Sequence, residues 1–347
     1  MPSHISHALL VEESIDNTGG FSGKALRRNI SADPVLRKIA VLGAQGPDIF
    51  LHNHRRKPRG FRYGAILHRK GNADVLVDLA LQSRGEMPPP ERDEVAAFAL
   101  GYLSHVWMDR LCHPYINYHA GWRNAPDRHS DRPWMHAFLE RIIDVQLLRH
   151  LRNLSVGEYG FVRRIASVRE ELLPLRRHIV RAIRSALWSS RDDAMLERRL
   201  ANALYDSLGY YRFSESPGMD YFVEGRSLER RGEINPRWLA LVHPPEELLM
   251  VDALNLERRP WSHPCDPSRS SNETFPALFH RALRRTVDTF DTWAMVMEGS
   301  VPPEQLRFKI GDQNLNDGIT GDPPCRRVHC QPLPLITLYQ QIKTAFD

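Results

Sequence analysis

Two short stretches of this chain place metal-ligand side chains one helical turn apart. His105, Asp109 and His113 follow one another at intervals of four residues, and His136 and Glu140 have the same spacing. Residues four apart lie on one face of an α-helix, so each stretch can direct imidazole and carboxylate groups at one point. Helical proteins build polynuclear metal sites in this way. The two stretches therefore predict a metal centre held between helices.

The apolar surroundings of His105 favour this interpretation over an ordinary polar helix face. An isolated helical histidine is more often a hydrogen-bonded core or surface residue, and His–Glu pairs at this spacing also occur on plain surfaces. The segment preceding His105, however, contains the run VAAFAL at residues 95–100. Two histidines and an aspartate are costly to bury in such a helix unless they are paired or bound to a metal.

Further candidate ligands occur elsewhere in the first half of the chain. His4 and His7 lie in the N-terminal segment, His68 comes just before a predicted helix, and Asp48 lies in a loop with glycine and proline. Zinc binds neutral imidazole and carboxylate groups, usually four per ion. Asp144, one turn beyond the second stretch, is either a partner that orients a ligand histidine or an ordinary polar residue.

Together these residues resemble the zinc-dependent phospholipase C family. That family includes secreted bacterial enzymes that cleave phosphatidylcholine, and it is related to the catalytic domain of glycosylphosphatidylinositol-specific phospholipase D. The resemblance covers residues 1–150 by motif and extends weakly to about residue 295 by helical layout. It rests on the two stretches above, on Gly46-Pro47-Asp48, and on Ser6-His7 before an apolar segment.

The resemblance implies an all-α, multi-helix phospholipase C/nuclease-like domain with up to three zinc ions in one cleft. His68, His105 and Asp109 would hold one ion, and Asp109 would bridge to a second ion that His7 also binds. The residues assigned to the third ion are His113, His136 and Glu140. Asp48 would be the catalytic residue, acting as general base or orienting the attacking water.

The chain also departs from the family pattern. The secreted enzymes bind zinc through an N-terminal tryptophan, and this chain has no tryptophan near its start. His113 follows Asp109 more closely than in the secreted enzymes, as it does in the phospholipase D relatives. His4 is therefore kept as the alternative to His7, and His119 as the alternative to His113.

Such a centre predicts hydrolysis of a phosphodiester. Two metal ions can clamp the attacking and leaving oxygens of a phosphoryl displacement, and zinc lowers the pKa of water toward about 7. The expected substrate is a phospholipid, with transient contact at a membrane surface. Single-stranded nucleic acid is the nearest alternative substrate, because zinc-dependent nucleases use a related helical site. A metal-stabilised scaffold without turnover is the other alternative, and a structural zinc would leave no open position for water.

The composition is that of an ordinary globular protein. Apolar residues make up 42% and charged residues 26% of 347 residues. The sequence contains neither an apolar run of 18 residues nor the pattern of a secretory signal, and four cysteines do not indicate a disulfide framework. We therefore expect a cytoplasmic protein without a transmembrane segment. The net charge of +5 reflects either a salt-bridged helical surface or attraction for a phosphate-bearing partner.

Helical periodicity dominates the chain and predicts an all-α fold. The predicted helices cover residues 33–42, 70–84, 92–111, 130–152, 163–188, 192–209, 273–298 and 334–346. Residues 209–264 form a looser region with helix-like pieces, and residues 299–333, rich in Pro, Gly, Asp and Asn, are predicted to form a long loop. We expect one helical domain over 1–298, followed by this loop and a short helix over 299–347.

Overall fold

The computed structural model of the protein describes residues 4–17, 19–85, 87–122, 134–165, 173–215, 218–320 and 325–347. It is 67% helix and 3% strand, which confirms the all-α prediction. The α-helices are α1 (His4–Asp16), α2 (Lys24–Ala32), α3 (Pro34–Gly43), α4 (Asp48–Leu51), α5 (Phe61–Leu67), α6 (Asn72–Gln82), α7 (Pro89–Ala120), α8 (Trp134–Arg152), α9 (Val156–Tyr159), α10 (Phe161–Ile165), α11 (Leu173–Ala186), α12 (Leu196–Ser214), α13 (Met219–Arg230), α14 (Phe275–Glu298), α15 (Pro303–Ile310) and α16 (Leu335–Ala345). Short 3₁₀ helices cover Trp188–Ser190, Trp238–Leu241 and Glu246–Leu248. Strands β1 (Trp261–His263) and β2 (Asp266–Ser271) form an antiparallel hairpin.

Helix α7 forms the centre of the fold. From Val95 to Ala120 nearly every residue is buried, and α3, α6, α8 and α14 pack around it. A helix that is apolar on all sides is stable only when other elements surround it. The predicted end near residue 111 was wrong, because the helix continues through Pro114 to Ala120. His113 therefore lies on the same continuous helix as the other ligands of the first stretch.

Helices α3 and α7 cross with their backbones in contact. A Cβ atom added to Gly101 would lie 2.1 Å from the carbonyl oxygen of Ala40, and one added to Gly43 would lie 2.3 Å from that of Phe98. Only glycine permits so close an approach of two helices. The crossing brings the loop that follows α3 against the middle of α7, where the candidate ligands lie.

Helix α1 is enclosed within the molecule. Its residues from His4 to Glu12 are all buried, and it packs against α7, α8 and α14. A helix buried on all sides shows no apolar stripe, so its sequence carries no clear helical periodicity. Both histidines of the N-terminal segment are consequently core residues.

The C-terminal part differs from the predicted long loop. Helix α15 lies within residues 299–333 and buries Leu306 and Ile310, so the prediction of a continuous loop was wrong there. Residues 311–320 then return to α7, and α16 matches the predicted last helix. The looser region contains one helix that was not predicted, α13. The proposed division of the chain at residue 298 stays a prediction.

Two cysteines that were not expected to pair form a disulfide. Cys265 in the hairpin is joined to Cys325, 60 residues later, while Cys112 is a buried free cysteine. Among the described helices, none has the length and apolar character required to cross a membrane.

Candidate metal centre

The eight predicted site residues converge on one buried region from five parts of the chain. Helix α1 supplies one of them, the first residue of α4 and the residue after α5 supply one each, α7 supplies three and α8 supplies two. Their ligand atoms form three groups, within each of which the atoms lie no more than 4.8 Å apart. The groups are His7, His105 and Asp109; Asp48, His68 and His105; and His113, His136 and Glu140.

Asp109 lies at the middle of the centre and uses its two carboxylate oxygens differently. Its Oδ1 is 3.3 Å from Nε2 of His7, while its Oδ2 is 3.2 Å from Nε2 of His105 and 3.7 Å from Nε2 of His68. The side chain is fully buried. A carboxylate placed in this way can bridge two cations, as the sequence predicted for Asp109.

Asp48 lies among the ligand atoms. Its Oδ1 is 3.0 Å from Nε2 of His68, and it belongs to the group that includes His105. The sequence predicted a residue that orients water or removes its proton. The geometry places Asp48 close enough to serve as a metal ligand as well.

Of the three groups, the third is the most exposed to solvent. Nε2 of His136 is 2.8 Å from Oε1 of Glu140, and Nε2 of His113 is 3.9 Å from the same oxygen. The His136 side chain is 24% exposed, whereas that of Glu140 is 2% exposed. Solvent therefore reaches the centre beside His136.

Backbone carbonyls orient three of the histidines. Nδ1 of His68 donates to the carbonyl of Gly64 at 2.8 Å, and Nδ1 of His105 donates to that of Ala44 at 3.0 Å. Nδ1 of His113 makes the same kind of bond to the carbonyl of Leu315. Because a carbonyl oxygen can only accept, each ring carries a proton on Nδ1, and in its neutral form it presents the Nε2 lone pair to the centre. This is the usual outer hydrogen bond of a metal-binding histidine.

A glycine allows the loop after α3 to lie directly on His105. Gly46 has a φ of +49°, and a Cβ atom there would lie 2.5 Å from the His105 ring. The same ring stacks on that of His7, with centroids 4.2 Å apart. His105 therefore contacts both the loop and α1.

Residues 311–320 hold two of the ligand-bearing elements together, which the sequence did not predict. The N–H of Leu315 donates to the carbonyl of His68 at 2.7 Å, and its own carbonyl accepts from His113. Asn117 on α7 donates to the carbonyl of Asn316 at 2.8 Å. The Asn- and Asp-rich turn at 314–318 was the available sequence signal, because such residues stabilise tight turns.

Many polar atoms at the centre lack hydrogen bonds within the described part of the chain. They are Nδ1 and Nε2 of His7, Oδ1 of Asp48, Nε2 of His68, Nε2 of His105, and both carboxylate oxygens of Asp109. Buried polar atoms are nearly always paired, and leaving one unpaired costs about 1–3 kcal/mol. Unpaired nitrogen and carboxylate lone pairs that face one region fit bound cations.

The protonation states of two of the histidines suit metal binding. Burial alone would lower the pKa of His105, but the neighbouring carboxylate of Asp109 raises it above its ordinary value, so His105 would have to lose a proton when a metal binds. Burial lowers the pKa of His113 to about 3 and lowers that of His7 as well. Neutral imidazole and ionised carboxylate are the forms that zinc binds.

The structure separates the alternatives left open by the sequence. His7, not His4, joins His105 and Asp109. His119 packs against the rings of Tyr115 and Tyr118, with centroids 4.4 and 4.9 Å away, and belongs to none of the ligand groups.

His4 lies in a second buried group, the anchor cluster, which consists of His4, Asp144 and His243. Oδ1 of Asp144 accepts from the backbone N–H of Ser6 at 2.8 Å, and Oδ2 accepts from that of Ile5 at 3.2 Å. The carboxylate thus caps the N-terminus of α1. One interpretation of the sequence made Asp144 a hydrogen-bonding partner that orients a ligand histidine. Asp144 is such a partner, but the groups that it bonds are the backbone of α1 and the ring of His243.

Positive charge already surrounds the anchor carboxylate. Nε2 of His243 donates to Oδ2 of Asp144 at 2.9 Å, while Nδ1 of the same ring lies 2.8 Å from the carbonyl of Ser214. The Arg141 guanidinium is 3.9 Å from Oδ2 of Asp144 and 3.4 Å from Nδ1 of His4. These contacts supply the charge that a cation would otherwise provide.

Comparison with family models, curated proteins and solved structures finds no match to this chain. The phospholipase C resemblance therefore stays a prediction that depends on the residues and their geometry.

Proposed function

We propose that this protein is a zinc-dependent phosphoesterase of the phospholipase C type, which hydrolyses phosphodiesters. One observation carries the proposal. Side chains that are far apart in sequence meet in the core with their metal-binding atoms directed at each other and unpaired among the described residues. A fold does not retain so many unpaired polar atoms in its core without a ligand that satisfies them.

The donor set indicates zinc and accommodates up to three ions. Imidazole nitrogens with a minority of carboxylate oxygens suit zinc, whereas calcium and magnesium prefer sites made of oxygen atoms alone. His7 and Asp109 would hold one ion, Asp48, His68 and His105 a second, and the α7–α8 group a third. Asp109 connects the first two sites. When bound, zinc supplies positive charge and acidifies water near neutral pH.

Asp48 and Arg141 would then have different roles. Asp48 would orient the attacking water or accept its proton, because its buried carboxylate lies 3.0 Å from Nε2 of His68, in the group that also contains His105. Arg141, next to Glu140 on α8, has its buried guanidinium beside Asp144 and bonded to the hydroxyl of Tyr210 at 2.8 Å, so it would support the α8 side of the centre.

The disulfide between Cys265 and Cys325 favours an oxidising compartment over the expected cytoplasmic location, because such bonds persist mainly in oxidising compartments.

The experiment combines metal analysis with an activity assay. Elemental analysis is made on protein purified without chelator or affinity metal, and hydrolysis of bis(p-nitrophenyl) phosphate is measured on the same samples. We expect about two to three zinc ions per chain, as two-metal hydrolases require at least a pair, together with hydrolysis that Asp109→Asn abolishes.

Other results would favour the alternatives. Stoichiometric zinc without hydrolysis of phosphodiesters or lipids would support a metal-stabilised scaffold. Hydrolysis of single-stranded oligonucleotides in preference to phospholipids would identify a nuclease. Protein that binds no zinc would exclude the proposal.

A further inference from the structure

A strongly basic segment connects two candidate metal ligands. Between Asp48 and His68 the chain contains no acidic residue, and the absence continues to Asp74. The cations in this interval are Arg55, Arg56, Lys57, Arg59, Arg62, Arg69 and Lys70. Residues 54–62, which we name the basic loop, contain the first five. Because Asp48 and His68 meet within 3.0 Å, the loop must leave from and return to the metal centre.

The backbone of the basic loop is fixed from the inside. The buried carboxylate of Asp206 on α12 accepts from the backbone N–H groups of Arg55 at 2.8 Å and Arg56 at 2.9 Å. Asn53 accepts from the N–H of Gly60 at 2.6 Å, and Arg199 donates to the carbonyl of Arg59 at 2.6 Å. A loop held in this way presents its side chains in a fixed arrangement.

Three of the cations face solvent without a counter-charge. Arg55, Lys57 and Arg59 are exposed and form no ion pair within the described ranges of the chain. Arg56 and Arg62 are partly neutralised by Asp206 and Asp193. The loop therefore carries net positive charge directed away from the protein.

Exposed apolar side chains accompany these cations. Phe61, in the loop, is 47% exposed, and Met195 is 46% exposed. Met195 lies beside the loop, because Asp193 accepts both from the N–H of Met195 and from the Arg62 guanidinium. Trp188, 79% exposed, borders a surface hollow with Arg69 and Lys70. Cations interspersed with exposed aromatic and aliphatic groups are typical of surfaces that bind anionic membranes.

We propose that the basic loop docks this protein on an anionic lipid surface. The docking needs no turnover, whereas the inference that it brings lipid substrate to the metal centre rests on the proposed function. The aromatic rings favour lipid over single-stranded nucleic acid. Arg56 lies over the ring of Tyr205 at 4.4 Å and Arg191 over that of Trp188 at 4.2 Å, which occupies ring faces that stacked bases would need.

Vesicle binding tests the proposal with the full-length protein. Vesicles of phosphatidylcholine with and without phosphatidylserine are sedimented with the wild type and with the triple variant Arg55→Gln, Lys57→Gln, Arg59→Gln. We expect binding to the phosphatidylserine vesicles only, weakened by salt, and reduced about 100-fold in the triple variant, because each cation near such a surface contributes about a factor of five.

A second triple variant controls for the change in net charge. Arg28→Gln, Arg284→Gln, Arg285→Gln removes three exposed arginines from α2 and α14, and we expect it to bind vesicles like the wild type. An equal loss in both triple variants would show attraction by net charge alone and overturn the docking surface. Thermal unfolding checks that both variants fold, and the single variant Lys57→Gln, expected to bind about five-fold more weakly, replaces the triple one if it does not.

Two further arms separate this proposal from the proposed function and from nucleic acid. Asp109→Asn protein that thermal unfolding shows to be folded should bind vesicles as well as the wild type, since Asp206, Asn53 and Arg199, and not a metal ion, hold the backbone of the basic loop. The docking proposal is wrong if no loop-dependent vesicle binding is seen, even where hydrolysis is present. Absence of hydrolysis contradicts the proposed function but leaves the docking proposal intact. Loop-dependent binding to a labelled single-stranded oligonucleotide that is tighter than vesicle binding would overturn the lipid assignment.

Discussion

Two buried clusters of histidine and carboxylate lie side by side in this core and are built in opposite ways. The metal centre contains His7 and Asp109, and the anchor cluster contains His4 and Asp144. The two histidines are three residues apart on α1, and all four side chains are buried. Residue type, burial and helical position are thus nearly the same in the two clusters.

The difference is in what satisfies each carboxylate. Asp144 accepts from two backbone N–H groups, from the Ser6 hydroxyl and from His243. Asp109 faces only the ring nitrogens of histidines, which have no hydrogen bond to it among the described residues. Buried carboxylates that receive backbone donors serve the fold, while those that face lone pairs serve a ligand. Histidine and aspartate spacing alone cannot separate these two cases.

The largest expected effect tests the metal side of the comparison. Asp109→Asn removes the negative charge of a carboxylate that faces two ligand groups. We therefore expect loss of bound zinc and a fall in phosphodiesterase activity of more than about 100-fold. Elemental analysis and steady-state kinetics measure both quantities. Asp144→Asn is the matched control and should retain its zinc. A variant at Asp109 with full zinc content would mean that the carboxylate is structural.

The anchor cluster should respond in the complementary way. Asp144→Asn removes the carboxylate charge beside the buried Arg141 guanidinium and weakens the cap of α1. We expect the free energy of unfolding to fall by about 3 kcal/mol, the usual result of breaking a buried ion pair. Urea denaturation of the metal-loaded protein gives this value. Zinc lost from folded Asp144→Asn protein would show instead that the anchor cluster binds metal.

His119 allows a test on a buried histidine that belongs to neither cluster. Burial lowers its pKa to about 4, below the ordinary 6.5, so the unfolded chain takes up a proton first as the pH falls. Stability is therefore lost between pH 6.5 and pH 4. Between pH 7 and pH 5 we expect the wild type to lose about 2 kcal/mol more than His119→Leu in urea denaturation. Equal losses in the two proteins, or zinc depletion in the variant, would contradict the placement of His119 outside the centre.

The smallest expected effect concerns the loop that holds His105. In Gly46→Ala the added methyl group meets the imidazole, so we expect zinc affinity to fall about ten-fold, as for other disturbed outer contacts. Gly232→Ala is the control, because Gly232 also has a positive φ, +72°, but has no atom within 4 Å of an added Cβ. Competition with a chromogenic chelator measures affinity in both. If the two variants bind zinc equally well, the contact with His105 has no effect on the site.

The sequence predicted the parts of the centre that depend on local periodicity. Residues of α7 and α8 at intervals of four share a helix face wherever the helix lies, so their convergence could be predicted without knowledge of the fold. Asp48, His68 and His7 could be placed only through the family resemblance, because nothing local connects them to α7. The structure brings each of them into a group with His105, and their roles as zinc ligands and catalytic residue stay a prediction.

The remaining features depend on contacts between distant parts of the chain. The carbonyl of Leu315 orients His113 across 202 positions, and His243 meets Asp144 across 99. Neither contact leaves a periodic pattern in the sequence. Helix α1 gave no amphipathic signal because it is buried on all sides, and α7 passes Pro114 because tertiary packing outweighs the local break.

The contacts of Leu315 set an order in which the centre can be assembled during synthesis. All eight candidate ligands have been translated once the ribosome passes Glu140. The amide and carbonyl that fix His68 and His113 follow 175 residues later, or about 10–35 s at ordinary translation rates. For that interval the nascent chain carries a complete ligand set without the segment that orients it. The final geometry of the centre is therefore reached only after residue 315 has been synthesised.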